Sequence, residues 1–165
     1  MRATRAGREL IHAAEACVLE AYLDSGGVPS IGWGTTRYPP WHSDGRRVLL
    51  GDVCTQEQAD LFFDYDLERT EEAVDVLTVD TVTPRQFDAL VSFAYNVGEG
   101  SYRTSTLRKL VNANPNDPAI RHQFMRWHFD DGQPVRGLWF RRHREGDHYF
   151  GSLTPCPPFP YPRAA

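Results

Sequence analysis

Glu15, Asp24 and Ser30 are the residues whose types and spacing could do chemistry together. Eight residues separate Glu15 from Asp24, and five separate Asp24 from Ser30. One carboxyl that gives a proton and a second that stays ionised are what hydrolysis of a glycosidic bond requires. The helix pattern of residues 4–16 would put Glu15 at a helix C-terminus, whose dipole disfavours negative charge and so suits a proton donor. Asp24 falls in a turn and Ser30 at the start of a returning strand, so a hydroxyl stands ready to help hold a water. On spacing alone the plainer reading is the stronger, because Asp-Ser-Gly-Gly is ordinary turn chemistry.

The elements that must position these groups can be read from the patterning. Thr4 is a candidate cap for the first helix, Leu10, Ile11 and Ala14 form its apolar stripe, and Gly7 is its weak point. Val18–Leu23 and the segment around Ile31 and Trp33 flank a Gly-rich turn, which predicts a β-hairpin. Val48, Leu49 and Leu50 offer a third strand. Thr55 and Gln58 form a capping box that opens a helix of about 25 residues, estimated from the length of its apolar repeat. Thr83-Pro84 opens another helix, apolar nearly all round and so central and buried, which Gly98 and Gly100 end. Shorter helices are predicted at 104–113, 117–128 and 138–150. The last twelve residues, TPCPPFPYPRAA, contain five prolines and form an extended tail, either packed on the surface or loose.

This layout is α+β: a small antiparallel sheet lobe at about 17–53 and a larger helical lobe at about 55–152 plus the N-terminal helix, joined by a long helix. It predicts one domain over 1–152 with a Pro-rich tail at 153–165, and a groove between the lobes.

Composition narrows the function. The chain has 165 residues, a formal charge of −4 and a pI near 5.8. An acidic balance argues against a nucleic-acid partner, which needs a basic face for phosphates. Cys17, Cys54 and Cys156 are too few and too scattered for a disulfide framework or a zinc site. Three plain thiols are favoured over a single Cys17–Cys54 bridge. His143 and His148 lack the spacing of a helical metal pair. No stretch is apolar enough for a membrane span or a signal peptide, so no membrane association is expected.

The string EACVLEAYLDSGGVPSIGWGTT resembles the catalytic signature of the phage-type lysozymes, glycoside hydrolase family 24. That signature runs Glu, eight residues, Asp, five residues, Thr, then Ile-Gly-aromatic-Gly-His-Thr. Three further blocks resemble the family in the same order: TPRQFDALVSFAYNVGEG, TSTLRKLVNAN and FMRWHFDDGQPVRGLWFRRHRE. The resemblance covers about residues 8–152. It implies a lysozyme-like fold and a muramidase that cuts the β-1,4 bond between N-acetylmuramic acid and N-acetylglucosamine, with inversion and without a cofactor or metal.

In the resemblance Glu15 is the general acid, Asp24 directs the water, and Ser30 stands where the family has Thr. Thr35 stands where the family usually has a mainly structural His. These two departures keep open a rival reading, a homologue that grips peptidoglycan without cutting it. The resemblance further implies a monomeric endolysin held in the host cytoplasm until a holin releases it to the periplasm and cell wall; use on a phage tail or as a toxin fits equally.

Four more residues are candidates for substrate binding. Asn96 offers an amide either to a sugar N-acetyl or hydroxyl group or to the end of its own helix. Trp127 underlies the groove or, the favoured reading, anchors the core. Of Arg141 and Arg142, one is expected to pair with Glu15 or Glu145 and the other to be solvated. The run 141–144 as a whole reads as a solvated helix face.

Overall fold

The computed structural model describes residues 1–161. These fall into two compact units. One comprises residues 12–69. The other combines residues 1–11 with the chain from Thr70 onward.

In the unit of residues 12–69, β1 (Val18–Leu23) pairs antiparallel with β2 (Pro29–Gly32), Tyr22 lying opposite Ser30 and Leu23 opposite Pro29. The hairpin closes through Asp24, whose N–H donates to the Val28 carbonyl (3.0 Å) and whose carbonyl accepts from Gly27 N–H (2.9 Å). β2 ends at Gly32, one residue before the predicted Trp33. There the chain doubles back, Ile31 and Thr35 exchanging backbone hydrogen bonds at 2.9 Å. Gly32 makes this possible: its φ is +63°, and a Cβ there would sit 3.1 Å from that of Ala59.

The third strand predicted at 48–50 does not form among the described residues. Leu49 and Leu50 are exposed in a turn closed by Asp52, whose carboxylate accepts from Leu49 N–H at 2.9 Å. Residues 52–54 pair with β1 instead, Cys54 N–H donating to Leu19 and Ala21 N–H to Asp52. Two hydrogen bonds of 2.8 Å from the Arg46 guanidinium hold the Asp52 carboxyl far below the usual carboxylate range, with help from Leu49 N–H. Ile31, Tyr38, Val48 and Phe62 form the unit's small core. The Thr55–Gln58 capping box opens α2 (Gln56–Leu77), within which the boundary between the units falls.

In the helical unit α1 (Arg5–His12) is shorter than the predicted 4–16. Beyond Ile11 the chain offers only the exposed Ala13 and Ala14, so burial does not reward another turn. The central helix, α3 (Pro84–Val97), begins at the predicted Thr83 cap, with a complete capping box, and buries every residue from Gln86 to Ala94. The chain leaves α3 at Gly98 as predicted, with a φ of +85°, whereas Gly100 lies inside the next helix. That helix is α4 (Glu99–Thr104), and Ser105 then caps α5 (Thr106–Ala113), so the helix predicted at 104–113 begins two residues late. Next come α6 (Ala119–Met125), a short hairpin of β3 (Phe129–Asp130) and β4 (Gln133–Pro134), and α7 (Arg136–Phe150), which packs along α3. The Pro-rich tail is packed as far as Tyr161. Pro157 accepts from Trp139 Nε1, and the Phe159 and Tyr161 rings lie against Trp139 and His128. No helix among the described residues is long and apolar enough to cross a membrane.

Gly7 is a contact rather than a weak point. A Cβ there would lie 2.5 Å from Asp88 Oδ1. Asp88 in turn accepts from Thr4 N–H (2.7 Å) and the Thr4 hydroxyl. Gly7→Ala should therefore destabilise the protein by about 1–3 kcal/mol despite alanine's better helix propensity. Urea denaturation of the two proteins checks this; equal or greater stability in the variant would overturn it.

Candidate active site

Glu15 does not end a helix. It stands three residues past α1, in the extended link to β1, so the helix dipole, which fades within the last turn, does not act on it as expected. His12, the last residue of α1, turns its ring edge-on to Trp33 (4.2 Å between centroids) and against Phe63 (4.3 Å).

Asp24 sits at the hairpin turn as predicted, and its carboxylate is held from two sides. Oδ1 accepts from Val28 N–H at 2.8 Å, and Oδ2 lies 3.4 Å from the Ser30 hydroxyl. The Ser30 hydroxyl also lies 3.2 Å from the Val28 carbonyl, so its single proton serves two acceptors. Ser30 is buried, while Glu15 and Asp24 are half-buried. Tyr22 links the two carboxyls electrostatically. Burial pushes its phenol up, and the charges of Glu15 and Asp24 both push it further. Being opposite Ser30 and two residues before Asp24, Tyr22 shares their face of the hairpin. The alternation of the strand could have flagged Tyr22 from sequence alone.

Thr35 is buried and donates to Asp66 Oδ2 at 2.7 Å. Burial raises the Asp66 carboxyl to about 6, against the lowering effects of Thr35 and Arg69. Asp66 is a charged member of this unit that helical periodicity did not single out.

In the helical unit the expected arrangement of Arg141 and Arg142 is corrected. Both are buried, and both meet the fully buried Glu145: Arg141 Nε reaches Oε1 at 3.2 Å and Arg142 Nε reaches Oε2 at 3.1 Å. Neither is the solvated partner, because helix spacing at i, i+3 and i+4 brings both guanidiniums to one carboxylate. Of the run 141–144 only Arg144 is exposed. Asn96 is exposed, and its Oδ1 accepts from Arg142 Nη2 at 2.9 Å. Trp127 is half-buried. Its ring stands edge-on to Phe93 (5.4 Å), and it also lines a pocket of about 430 Å³ with Gln123 and Arg126. All three cysteines are free thiols, Cys156 exposed and the other two half-buried.

A small antiparallel hairpin with Asp24 at its turn, together with helices gathered around one buried helix, defines a lysozyme-like protein of the α+β class. Comparison with known proteins bears this out. The sequence model described as Phage lysozyme matches residues 12–145, and the chain belongs to that family.

Relatives include the endolysins of Bacillus phage B103 (36% identical over 145 residues, 88% of this chain) and Bacillus phage PZA (36% over 155 residues, 94% of this chain). This chain spans little more than half of those relatives, 52% and 57% of their lengths. Among solved structures, an endolysin from Escherichia coli O157:H7 phage FAHEc1 is similar at a TM-score of 0.78 and 36% identity, covering 94% of this chain and 97% of that one. A mutant form of P22 lysozyme is similar at a TM-score of 0.72 and 29% identity, covering 91% of this chain and 99% of that one.

Proposed function

We propose that this chain is a muramidase that hydrolyses the β-1,4 bond between N-acetylmuramic acid and N-acetylglucosamine in peptidoglycan. Membership of the phage lysozyme family supports the reaction class. The observation that carries the assignment of residues is the Asp24 carboxylate held by Val28 N–H at 2.8 Å and facing the buried Ser30 hydroxyl at 3.4 Å, at the spacing from Glu15 that the family resemblance requires. Two carboxyls sharing a neighbourhood can divide the work of an acid and a water-directing base.

Glu15 protonates the leaving oxygen. Asp24, its geometry set by Val28 and Ser30, orients and activates the attacking water, and Ser30 helps hold it. The reaction inverts the anomeric centre, as water entering opposite the leaving group requires. Asn96 and Trp127 bind the sugar chain, and Arg141 and Arg142 support that surface from within. No cofactor or metal takes part. Residues 1–152 form the catalytic domain and 153–165 its tail. The protein acts as a monomer in lysis of the host, waiting in the host cytoplasm for a holin to open the way to the periplasm and wall, with no nucleic-acid or stable membrane partner.

Purified peptidoglycan should be cleared by the wild type, and clearing should fall at least about 100-fold in Glu15→Gln, the scale of a lost general acid. NMR of the first product should show inversion. Clearing by Glu15→Gln at the wild-type rate would sink the assignment, and retention would sink the stereochemistry.

A further inference from the structure

From Thr154 to Tyr161 every residue is a proline or stands immediately before one. Proline fixes φ at about −65°, and the residue ahead of it is held out of the helical region. The segment therefore takes a polyproline II shape at little entropic cost. Pro155, Pro157, Pro158 and Pro160 have no N–H, and polyproline II makes no internal hydrogen bonds. Such a segment offers many acceptors and few donors.

The surface under it matches that chemistry. Trp139 Nε1, which can only donate, gives its proton to the Pro157 carbonyl at 3.2 Å. Phe159 and Tyr161 are half-buried, whereas Pro158 and Pro160 are exposed, so the two rings are the inward side of the segment. Phe159 meets the Trp139 ring edge-on, with 6.2 Å between centroids. Tyr161 lies against His128 (5.7 Å) and Phe129 (6.0 Å), and His128 packs edge-on to Trp139 (5.0 Å). A polar contact upstream fixes where the segment starts. Thr154 donates to the Asp147 carboxylate from its N–H (3.2 Å) and from its hydroxyl (2.7 Å). The chain thus runs back along α7, from Asp147 to Trp139, and ends on β3.

We propose that Trp139, His128 and Phe129 form a binding site for a proline-rich peptide, and that the chain's own residues 154–161 fill it in cis as a strap. What the strap holds is the β3–β4 hairpin. Strands this short cannot stand alone. Val135 N–H donates to the His128 carbonyl at 2.8 Å and closes the hairpin. Phe129, the first residue of β3, is one wall of the pocket that Trp127 and Arg126 line. Among the described residues that line this pocket none belongs to the strap, which steadies the wall without filling the space.

The test reads amide hydrogen exchange at Val135 in the full-length protein, with the amides of α3 as internal reference. Trp139→Phe keeps a ring and removes the donor. Val135 should exchange about 5-fold faster, the scale of one hydrogen bond, while α3 is unchanged. Phe159→Ala combined with Tyr161→Ala should speed it by at least about 10-fold, since both ring contacts are lost. Adding a synthetic peptide of residues 153–161 to that double variant at millimolar concentration should restore the protection. The same peptide with glycine in place of its prolines should not, because it loses far more freedom on binding. Wild-type exchange at Val135 in both variants overturns the strap. Equal rescue by the two peptides overturns the recognition of polyproline. Protection in the wild type that rises with protein concentration overturns the cis arrangement in favour of exchange between copies.

Discussion

Glu145→Ala should destabilise the protein by about 3–5 kcal/mol, the cost of leaving buried charge uncompensated. Glu145 is fully buried between Arg141 and Arg142, with Ser92 donating to the same carboxylate. Removing it leaves two buried guanidiniums facing each other across a gap, where one carboxylate had balanced both. Domains of this size are stable by only about 5–15 kcal/mol, so a large share of the total is at stake. The melting temperature should fall by roughly 6–20 °C, at about 2–4 °C per kcal/mol. The exposed Arg144 supplies the control: Arg144→Ala should stay within about 0.5 kcal/mol of wild type. A Glu145→Ala protein as stable as that control would show that the network contributes nothing.

Asp66→Asn should do the opposite, and only above a certain pH. The Asp66 carboxyl is raised from 3.8 to about 6, first by burial, while Thr35 and Arg69 pull it the other way. A carboxyl with a raised folded-state value binds its proton more tightly when folded. Below pH 3.8 both folded and unfolded chains carry that proton, and Asp66 has no effect on stability through titration. Between pH 3.8 and 6 the unfolded chain loses its proton first, and stability falls as pH rises. Above that range the folded protein bears the whole penalty of a buried charge, about 3 kcal/mol at 1.36 kcal/mol per pKa unit. Asparagine can still accept from the Thr35 hydroxyl and carries no charge. Asp66→Asn should therefore melt several degrees higher than wild type at about pH 8 and close to it at about pH 3.5. A constant gap across that range would mean the gain is not electrostatic.

The α+β layout, the hairpin, the caps at Thr55 and Thr83 and the burial of α3 were legible in the sequence because each rests on local chemistry: turn residues, capping side chains and apolar periodicity. The misreadings share a different cause. The end of α1 and the absence of the predicted third strand depend on which residues find partners beyond their own segment. Asp52 recruits Arg46, Tyr38 and Leu49 and so turns Leu49 and Leu50 outward, which hydropathy alone cannot foresee. One of Arg141 and Arg142 was expected to be solvated because charge is usually exposed; the burial of both follows from Glu145 lying one turn on. The β3–β4 hairpin was missed although Asp131-Gly132, with φ of +46° and +74°, is the turn signal for such a hairpin. In the candidate site, Asp24 and Ser30 lie where spacing put them. Glu15 was given the wrong local setting, and Tyr22 was overlooked.

The split of the chain into residues 12–69 and a helical unit built from both sides of that segment has a consequence for synthesis on the ribosome. Residues 1–11 emerge first but cannot settle then. Ala3 N–H donates to Glu71 at 2.9 Å, and Thr4 docks on Asp88, groups translated some seventy to eighty residues later. The hairpin unit, one continuous segment of chain, can close while translation continues. The leading helix must wait for α3 to clear the exit tunnel, so a nascent chain paused before Asp88 should expose it to proteases.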